Sequence, residues 1–401
     1  MIQEYKRYYH EKYTPQRYRQ YQNDFKKEVG KLYALSTGPY FLKKTNATKI
    51  KEAILPSIMH LLSSKKYQES VYQRGWFLPK IEVKKSDFFG SADFHIDGDE
   101  IRLIELNFFM PGHFGLIELF LKLFAKSFNF ELEIFTDGFE RRLADFLKER
   151  FDGDKIALCV NHLGRSEHYL DHYRYIENFL NKNGLNAKVV YAKDAGISDN
   201  NRPMWDNEEY DGVFNIVIPR NWEHNKDEFL NYTTLFEKIP EYFFPNPWCW
   251  TIGDKRFLNT LANLDNLDYG LSKDDEAALK SITLKSAMVN NFTNAQELYS
   301  FFGNSKNFVL KPIDNYHTEG VYIKPSVEII EKIIKEEADF YIAQEYFEAE
   351  SIYYEDENGK QIEPYKGQLR VEFFNGEFLN FRTYGFSNPF GLSPMMPVAI
   401  R

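Results

Sequence analysis

Cysteine is nearly absent from this chain, which has only Cys159 and Cys249 among its 401 residues. Two cysteines cannot build a disulfide framework, and neither lies at a metal-binding spacing, so the sequence favours a reducing compartment. The first residues lack the apolar core of a signal peptide. A run of about 18 apolar residues, which a membrane span requires, is also lacking. We therefore expect a cytoplasmic protein that does not bind membranes.

An excess of positive charge is lacking as well. The formal net charge is -9, which argues against a nucleic-acid-binding protein but leaves room for a local basic pocket. Hydrophobic residues make up 43% of the chain, so we expect a globular protein of two or three domains.

The first chemical signal lies between Asp93 and Asn107. Two short apolar runs flank an Asp97-Gly98 turn signal, a pattern that predicts a β-hairpin. Glu105 and Asn107 are two residues apart on the returning strand and therefore share a face. A buried carboxylate needs a partner or a metal, and carboxylate and amide oxygens suit Mg²⁺ or Ca²⁺. The alternative is a solvated end of the hairpin.

The surrounding segments predict an α/β organisation. Residues 1 to about 70 are expected to form a helical layer, and a loop at Pro111 to Gly115 leads into a helix at 116–128. Strands at 155–161, 187–192 and 210–219, with a helix at 166–183, predict a βαβ lobe. The loop after the first of these strands has a single glycine, which excludes a dinucleotide fingerprint. Arg165 and His168 of that loop are candidates for binding a small polar substrate.

The last third of the chain contains cationic residues on predicted strands. Lys311 lies inside the apolar run 308–313, and the polar loop that ends at Gly320 follows it. Such a lysine can reach a phosphate that backbone N–H groups of the loop also cover, although a lysine on a hairpin surface is the alternative. The strand 340–347 can place Gln344 and Glu345 near an adenine edge. Arg370 and Arg382, on two later strands, suit polyphosphate chemistry.

From about residue 90 to 401 these segments resemble the glutathionylspermidine synthetase-type ATP-grasp ligases. The matching motifs, in the family's order, are Asp-Phe with Ile-Glu-Leu-Asn, Asn-Pro-Trp with Asp254-Lys255, Val-Leu-Lys-Pro-Ile, Ala-Gln-Glu, and a tail ending Met-Pro-Val. The resemblance implies metal ligands, two nucleotide lysines, an adenine-side hinge and a terminal arginine that binds the transferred phosphate. The metal ligands would be Asp93, Glu105 and Asn107, and the nucleotide lysines would be Lys255 and Lys311. The adenine-side hinge would be Gln344 and Glu345, and the terminal arginine would be Arg382.

The sequence departs from the family pattern at two places. Ser91 stands where the family has an arginine, two residues before the metal aspartate. The phosphate loop reads His317-Thr318-Glu319-Gly320, where the family has Arg-Glu-Gly. Because those arginines hold the substrate carboxylate or the transferred phosphate, the departures argue against glutathione as the substrate.

The resulting prediction is an α/β (α+β) protein of ATP-grasp architecture. A helical layer and the metal hairpin (1–150), a small Rossmann-like lobe (151–240) and a nucleotide-binding region (241–401) would form it. The activity would be ligation of a small-molecule carboxylate to an amine (an amino acid, peptide or polyamine), with ATP and Mg²⁺. The alternatives are a phosphotransferase or other Mg-nucleotide enzyme, and a nucleotide-binding module without catalysis.

Two geometric expectations follow. Asp93 can join Glu105 only if the two residues are directly opposed, which requires a hairpin loop of three or five residues centred on Asp99. A two-residue Asp97-Gly98 turn would place Asp93 opposite Arg102, unless a bulge restores the register. Arg382 is expected just past its strand, turned into a cleft, while Arg370 is expected before its strand and paired with a surface carboxylate.

Overall fold

The computed structural model describes residues 1–30, 33–74, 76–108, 114–161, 169–315, 319–387 and 394–401. The helices are α1 Ile2–Glu11, α2 Pro15–Val29, α3 Lys44–Lys49, α4 Leu55–Ser63, α5 Lys65–Tyr72, α6 Ile117–Phe128, α7 Phe139–Phe151, α8 Leu170–Lys182, α9 Pro219–His224, α10 Leu230–Lys238, α11 Trp248–Ile252, α12 Arg256–Ala262, α13 Lys273–Ile282, α14 Ala295–Phe301 and α15 Val327–Glu336.

The strands alternate with these helices along much of the chain. They are β1 Tyr40–Leu42, β2 Phe89–Asp97, β3 Glu100–Phe108, β4 Lys155–Val160, β5 Asn186–Tyr191, β6 Gly196–Ile197, β7 Pro203–Trp205, β8 Glu208–Glu209, β9 Gly212–Asn215, β10 Phe243–Phe244, β11 Ser286–Met288, β12 Phe308–Pro312, β13 Tyr322–Ile323, β14 Tyr341–Glu345, β15 Lys366–Phe374, β16 Glu377–Phe386 and β17 Met395–Ile400.

The N-terminal layer is helical, as the sequence predicts. Thr14 caps α2 by accepting a hydrogen bond from the backbone N–H of Arg17, and Pro15 occupies the first helical position. Gly30 ends the helix at φ 82°, a left-handed conformation that favours glycine. The inward face of α2 carries aromatic residues that are buried in the main hydrophobic core.

The central sheet has six strands in the order β1-β17-β16-β15-β2-β3. Only β1 and β17 pair in parallel in this sheet, and the other neighbours are antiparallel. The order joins the N-terminal hairpin β2-β3 to the C-terminal hairpin β15-β16, although more than 250 residues separate Phe108 from Lys366. As a result, residues near 93 and 105 lie beside residues near 370.

Two further four-stranded sheets flank this one. The parallel sheet β10-β9-β4-β5 contains the expected βαβ unit, but β10 adds a fourth strand to the three that the sequence indicates. The antiparallel sheet β11-β14-β12-β13 carries Lys311 on β12 and Gln344 on β14. A small antiparallel sheet, β6-β7-β8, lies between β5 and β9 in sequence. Within the described ranges, we find no helix with the length and hydropathy needed to cross a membrane.

Candidate functional site

A β-bulge sets the register of the hairpin β2-β3. Asp97 pairs with Glu100, so the turn contains only Gly98 and Asp99, and the prediction of a three- or five-residue loop is wrong. Farther along, the register shifts between Asp93 and Phe94. Phe94 pairs with Leu103 and Asp93 with Glu105, which leaves Ile104 as the extra residue. The bulge therefore produces the pairing that the metal hypothesis requires.

Two rows of polar residues cross the central sheet on one face. Directly opposed residues of antiparallel strands share a face, so the strand pairings define these rows. The first row, from β16 through β15 and β2 to β3, is Arg382, Arg370, Asp93 and Glu105. The second row is Asn380, Glu372, Ser91 and Asn107. Since neither row contains an apolar side chain, this face is suited to binding polar groups.

Asp93 is completely buried and accepts hydrogen bonds from three side chains. Arg370 binds it in a bidentate manner, from Nε to Oδ1 at 2.7 Å and from Nη2 to Oδ2 at 2.5 Å. Gln368 Nε2 and Asn107 Nδ2 donate to Oδ2 at 2.8 and 3.1 Å. The second terminal nitrogen of Arg370, Nη1, makes no hydrogen bond to the residues that the structure describes. Arg370 is thus held in place with one pair of N–H donors left over.

Glu105 lies between Asn107 and a lysine from another part of the chain. Its Oε1 accepts from Asn107 Nδ2 at 3.2 Å, and its Oε2 lies 3.5 Å from Lys255 Nζ. Burial raises the pKa of Glu105, but Lys255 and Lys311 outweigh that effect and bring the pKa to about 2. Glu105 is therefore ionised throughout the physiological pH range.

Lys255 is the N-cap residue of α12 and immediately precedes the helix. Its backbone N–H donates to Ile313 O at 3.0 Å, and its Nζ donates to Asn315 O at 2.8 Å. Both acceptors belong to the segment that follows β12 and leads to Gly320. This lysine therefore connects Glu105 with the start of the predicted phosphate loop.

Lys311 and Gln344 contact the central sheet at the β-bulge. Lys311 Nζ donates to Gln344 Oε1 at 2.7 Å and to the carbonyl oxygen of Ile104 at 3.2 Å. Gln344 Nε2 donates to the carbonyl oxygen of Leu103 at 3.1 Å. Burial lowers the pKa of Lys311 to about 8, because Glu105 offsets the desolvation only in part.

The two arginines lie on the predicted C-terminal strands, but not just outside the strand ends as the second expectation had it. Arg370 and Arg382 both lie inside their strands and oppose each other directly. Arg370 binds the buried Asp93, whereas a surface carboxylate was expected. Arg382 is itself fully buried, with Nη2 2.7 Å from Glu372 Oε1 and Nη1 3.4 Å from Met395 Sδ. Arg382 therefore does not turn into a cleft past its strand.

The remaining predicted residues lie at the edge of this cluster or beyond it. Glu345 follows Gln344 on β14, so its side chain points to the other face of the strand, and it is exposed. Gly320 has φ 73°, and a Cβ there would lie 2.8 Å from Pro312 Cγ, so the position requires glycine. The following predicted residues lie outside the described residues: Pro111, Gly112 and His113; Arg165 and His168; His317 and Thr318.

Sequence reasoning missed several members of the two rows and their neighbours. Gln368 binds Asp93, Glu372 pairs with Arg382, and the ring of Tyr384 lies 5.0 Å from Arg370 Cζ and 4.9 Å from Arg382 Cζ. The available signal was the alternation of polar with apolar residues from 366 to 374 and from 380 to 384. That period of two indicates a strand with one polar face, even where apolar runs are interrupted.

The carboxylates of Asp93 and Glu105 are oxygen ligands of the kind that Mg²⁺ prefers, but Asn107 presents its amide Nδ2, a hydrogen-bond donor, to both of them. They do not fit equally well. Asp93 already accepts from Arg370 and Gln368, whereas Glu105 has one lysine at 3.5 Å and stays partly exposed. In the part of the chain that the structure describes, no group of three or more His, Cys, Asp or Glu residues is arranged to hold a metal. Glu105 is thus the better carboxylate ligand, and Asn107 would join it only with its amide group turned so that Oδ1 faces the metal.

The chain has an α+β fold of ATP-grasp-like architecture. A glutathione synthetase-like effector from Globodera pallida, solved in the apo form, superposes with a TM-score of 0.60 at 12% sequence identity. The superposition covers 97% of this chain and 98% of the effector, so the likeness extends over the whole fold. A protein described as a gamma-glutamylcysteine synthetase from Methylobacillus flagellatus gives a TM-score of 0.41 at 11% identity, covering 84% of this chain and 82% of that one. The latter score is too low to support an argument.

Sequence comparison adds no family assignment. No protein-family model matches the chain, and no curated protein sequence matches it. The resemblance to glutathionylspermidine synthetase-type ligases therefore rests on the motifs described above.

Proposed function

We propose that this chain is an ATP- and Mg²⁺-dependent ligase that joins a small-molecule carboxylate to an amine and releases ADP and phosphate. One observation carries the proposal: Lys255, Lys311 and Arg370, from three different elements, surround Glu105 and its neighbour Asp93. Three cations beside oxygen ligands for a divalent metal suit the neutralisation of a polyphosphate. The fold likeness and the motif resemblance support the same reading.

The residues divide into nucleotide-binding and reacting groups. Lys255 and Lys311 would bind the phosphates, the backbone around Gly320 would cover them, and the strand end at Gln344 and Glu345 would face the adenine. Glu105 and Asn107, with Asp93 behind them, would hold Mg²⁺, which supplies charge neutralisation at the phosphates. Arg370, fixed by Asp93, would direct its remaining N–H donors at the transferred phosphoryl group.

The proposed chemistry has two balanced steps. An oxygen of the substrate carboxylate attacks the γ-phosphorus, and the bond from that phosphorus to the bridging oxygen breaks, which releases ADP and an acyl phosphate. The amine nitrogen then attacks the acyl carbon, phosphate leaves with the electron pair of the C–O bond, and the nitrogen loses a proton. The residues of this chain would align the reactants and balance charge. The acid and the amine would be an amino acid, a peptide or a polyamine.

A product screen tests the proposal. ADP release would be measured over combinations of amino acids, short peptides and polyamines, with hydroxylamine as a general trap for an acyl phosphate. A ligase should release ADP in the presence of an acid and form a hydroxamate with the trap. Phosphorylated product that hydroxylamine does not consume would instead indicate a phosphotransferase.

A second candidate is a nucleotide-binding module without catalysis. The bidentate contact between Arg370 and Asp93 favours it, because that contact occupies both oxygens of a predicted metal ligand. Tight ATP binding without turnover of any acid and amine pair would support this candidate over the ligase.

The pKa of Lys311 predicts how nucleotide affinity changes with pH. Since burial lowers this pKa to about 8, the ammonium that would bind phosphate is lost as the pH rises above 8. The affinity for a non-hydrolysable ATP analogue should be nearly constant from pH 6.5 to 7.5 and then fall, approaching about tenfold per pH unit. Calorimetric titration at fixed Mg²⁺ would measure it.

The Lys311→Arg variant is the control for this pH dependence. An arginine stays protonated over the same range, so the variant should show a much flatter profile. An equally steep loss of affinity in both proteins would assign the titration to another group, and a flat wild-type profile would remove Lys311 from the phosphate site.

A further inference from the structure

Ser91 occupies an unusual position in the second polar row. It is fully buried, and among the residues that the structure describes its hydroxyl has no hydrogen-bond partner. Burying an unpaired hydroxyl costs free energy, so such a group on a polar face is a candidate contact for a molecule from outside the chain. Ser91 lies directly between Glu372 on β15 and Asn107 on β3.

The neighbouring Glu372 has acceptor capacity to spare. Arg382 Nη2 lies 2.7 Å from its Oε1, and Asn380 Nδ2 makes only a long contact of 3.5 Å with its Oε2. An ionised carboxylate can accept about four hydrogen bonds. Because Arg382 already balances its charge, Glu372 together with Ser91 offers acceptors without a net negative charge. This combination suits a group with N–H donors that is not strongly cationic.

The position of Ser91 relative to the first row connects it to the proposed chemistry. Ser91 is two residues from Asp93 on the same strand and therefore on the same face, one row away from Arg370 and Glu105. Asn107 and Glu105, at the β3 end of the two rows, are partly exposed, whereas Ser91 and Glu372 are fully buried behind them.

We propose that Ser91 and Glu372 bind the amino group of the nucleophile, so that the amine is held one row away from the transferred phosphoryl group. This assignment rests on the ligase function proposed above. In this assignment Ser91 accepts a hydrogen bond from the amine. Glu372, held by its buried ion pair with Arg382, forms the other side of the amine subsite.

Calorimetric titration with glycinamide, a small primary amine, tests the assignment on the full chain at a pH of about 9, where its amino group is largely neutral. N-acetylglycinamide, in which the amino group is acylated, is the matched ligand control. Wild-type protein should bind glycinamide saturably and should not bind the acetylated compound. Ser91→Ala should weaken glycinamide binding at least tenfold while leaving the affinity for the ATP analogue and the thermal midpoint unchanged.

Thr383→Val is the matched protein control. Thr383 is also fully buried with a hydroxyl that lacks a partner among the described residues, but it follows Arg382 and so points to the opposite face. The Thr383→Val variant should bind glycinamide with the same affinity as the wild type. Equal binding by wild type and Ser91→Ala, absence of glycinamide binding by the wild type, or an equal loss in Thr383→Val would each overturn the assignment.

The hydroxylamine trap separates this inference from the proposed function. If the wild type forms a hydroxamate and Ser91→Ala binds glycinamide as well as the wild type does, the ligase function is retained and the amine subsite is refuted. Glycinamide binding that depends on Ser91, with no ADP release from any acid, would refute the ligase and retain an amine-binding site.

Discussion

Replacing Glu105 with glutamine is expected to abolish turnover while leaving the fold intact. The pKa of about 2 means that Glu105 carries a full negative charge at any working pH, so the substitution removes one charge and almost no volume. Loss of a preorganised electrostatic contact typically lowers the rate about 10²- to 10³-fold, and loss of a metal ligand should exceed that. A second measurement tests the metal role of Glu105 directly. In Glu105→Gln the affinity for the ATP analogue should no longer depend on Mg²⁺, because the neutral side chain does not repel metal-free phosphates.

Glu100→Gln is the matched control for that measurement. Glu100 lies on the same strand, is largely exposed and pairs with Arg102, so its neutralisation should change neither rate nor Mg²⁺ dependence. If Glu105→Gln turned over like the wild type, or if its affinity for nucleotide kept a normal Mg²⁺ dependence, the metal-binding role would be refuted.

The hairpin shows how far local pattern can predict this site. The apolar runs and the spacing of Glu105 and Asn107 predict the hairpin and the shared face, and both are present. The register could not be predicted from the turn signal, because it depends on a bulge at Ile104. The carbonyl oxygens of Leu103 and Ile104 bind Gln344 and Lys311, which lie more than two hundred residues away, and no local pattern reports such a contact.

The misplaced arginines have a different cause. The sequence predicts two C-terminal strands that each carry an arginine, but the apolar residues of the hairpin suggest that Arg370 and Arg382 lie just outside its core. The strands in fact continue to Lys366 and Phe386, because polar residues occupy one face and apolar residues the other. A buried polar face with internal ion pairs is rare, so the sequence gives little reason to expect a buried carboxylate as the partner of Arg370.

The convergence of Lys255, Lys311 and Gln344 lay beyond local reasoning altogether. The proximity of Lys311 and Gln344 to Glu105 depends on docking a second sheet against the β3 edge, and Lys255 reaches Glu105 from the segment before α12. The order of motifs in a resembling family supplied that expectation. The roles of these residues remain predictions, and Lys311→Arg and Glu105→Gln test two of them.

The second large effect is expected at Arg370, with Arg382 as its counterpart. Arg370→Lys should lower kcat by about two orders of magnitude with a smaller change in nucleotide affinity, the pattern of a contact made chiefly in the transition state. Lysine retains the charge beside Asp93, so the protein should stay folded. It cannot supply both the bidentate contact to Asp93 and the additional N–H donors that Arg370 presents.

Arg382 should respond in the opposite way, because it is fully buried against Glu372. Arg382→Ala would leave the carboxylate of Glu372 without its partner, and breaking a buried pair typically costs about 3–5 kcal/mol of stability. Arg382→Lys, which keeps a cation there, should be less destabilised and retain kcat within a few-fold of the wild type. Rates would be measured with the substrates found in the ADP screen, and stability by denaturant unfolding. A crippled Arg382→Lys beside an active Arg370→Lys would restore Arg382 as the arginine that acts on the phosphate, since loss of rate without loss of fold cannot arise from the ion pair alone.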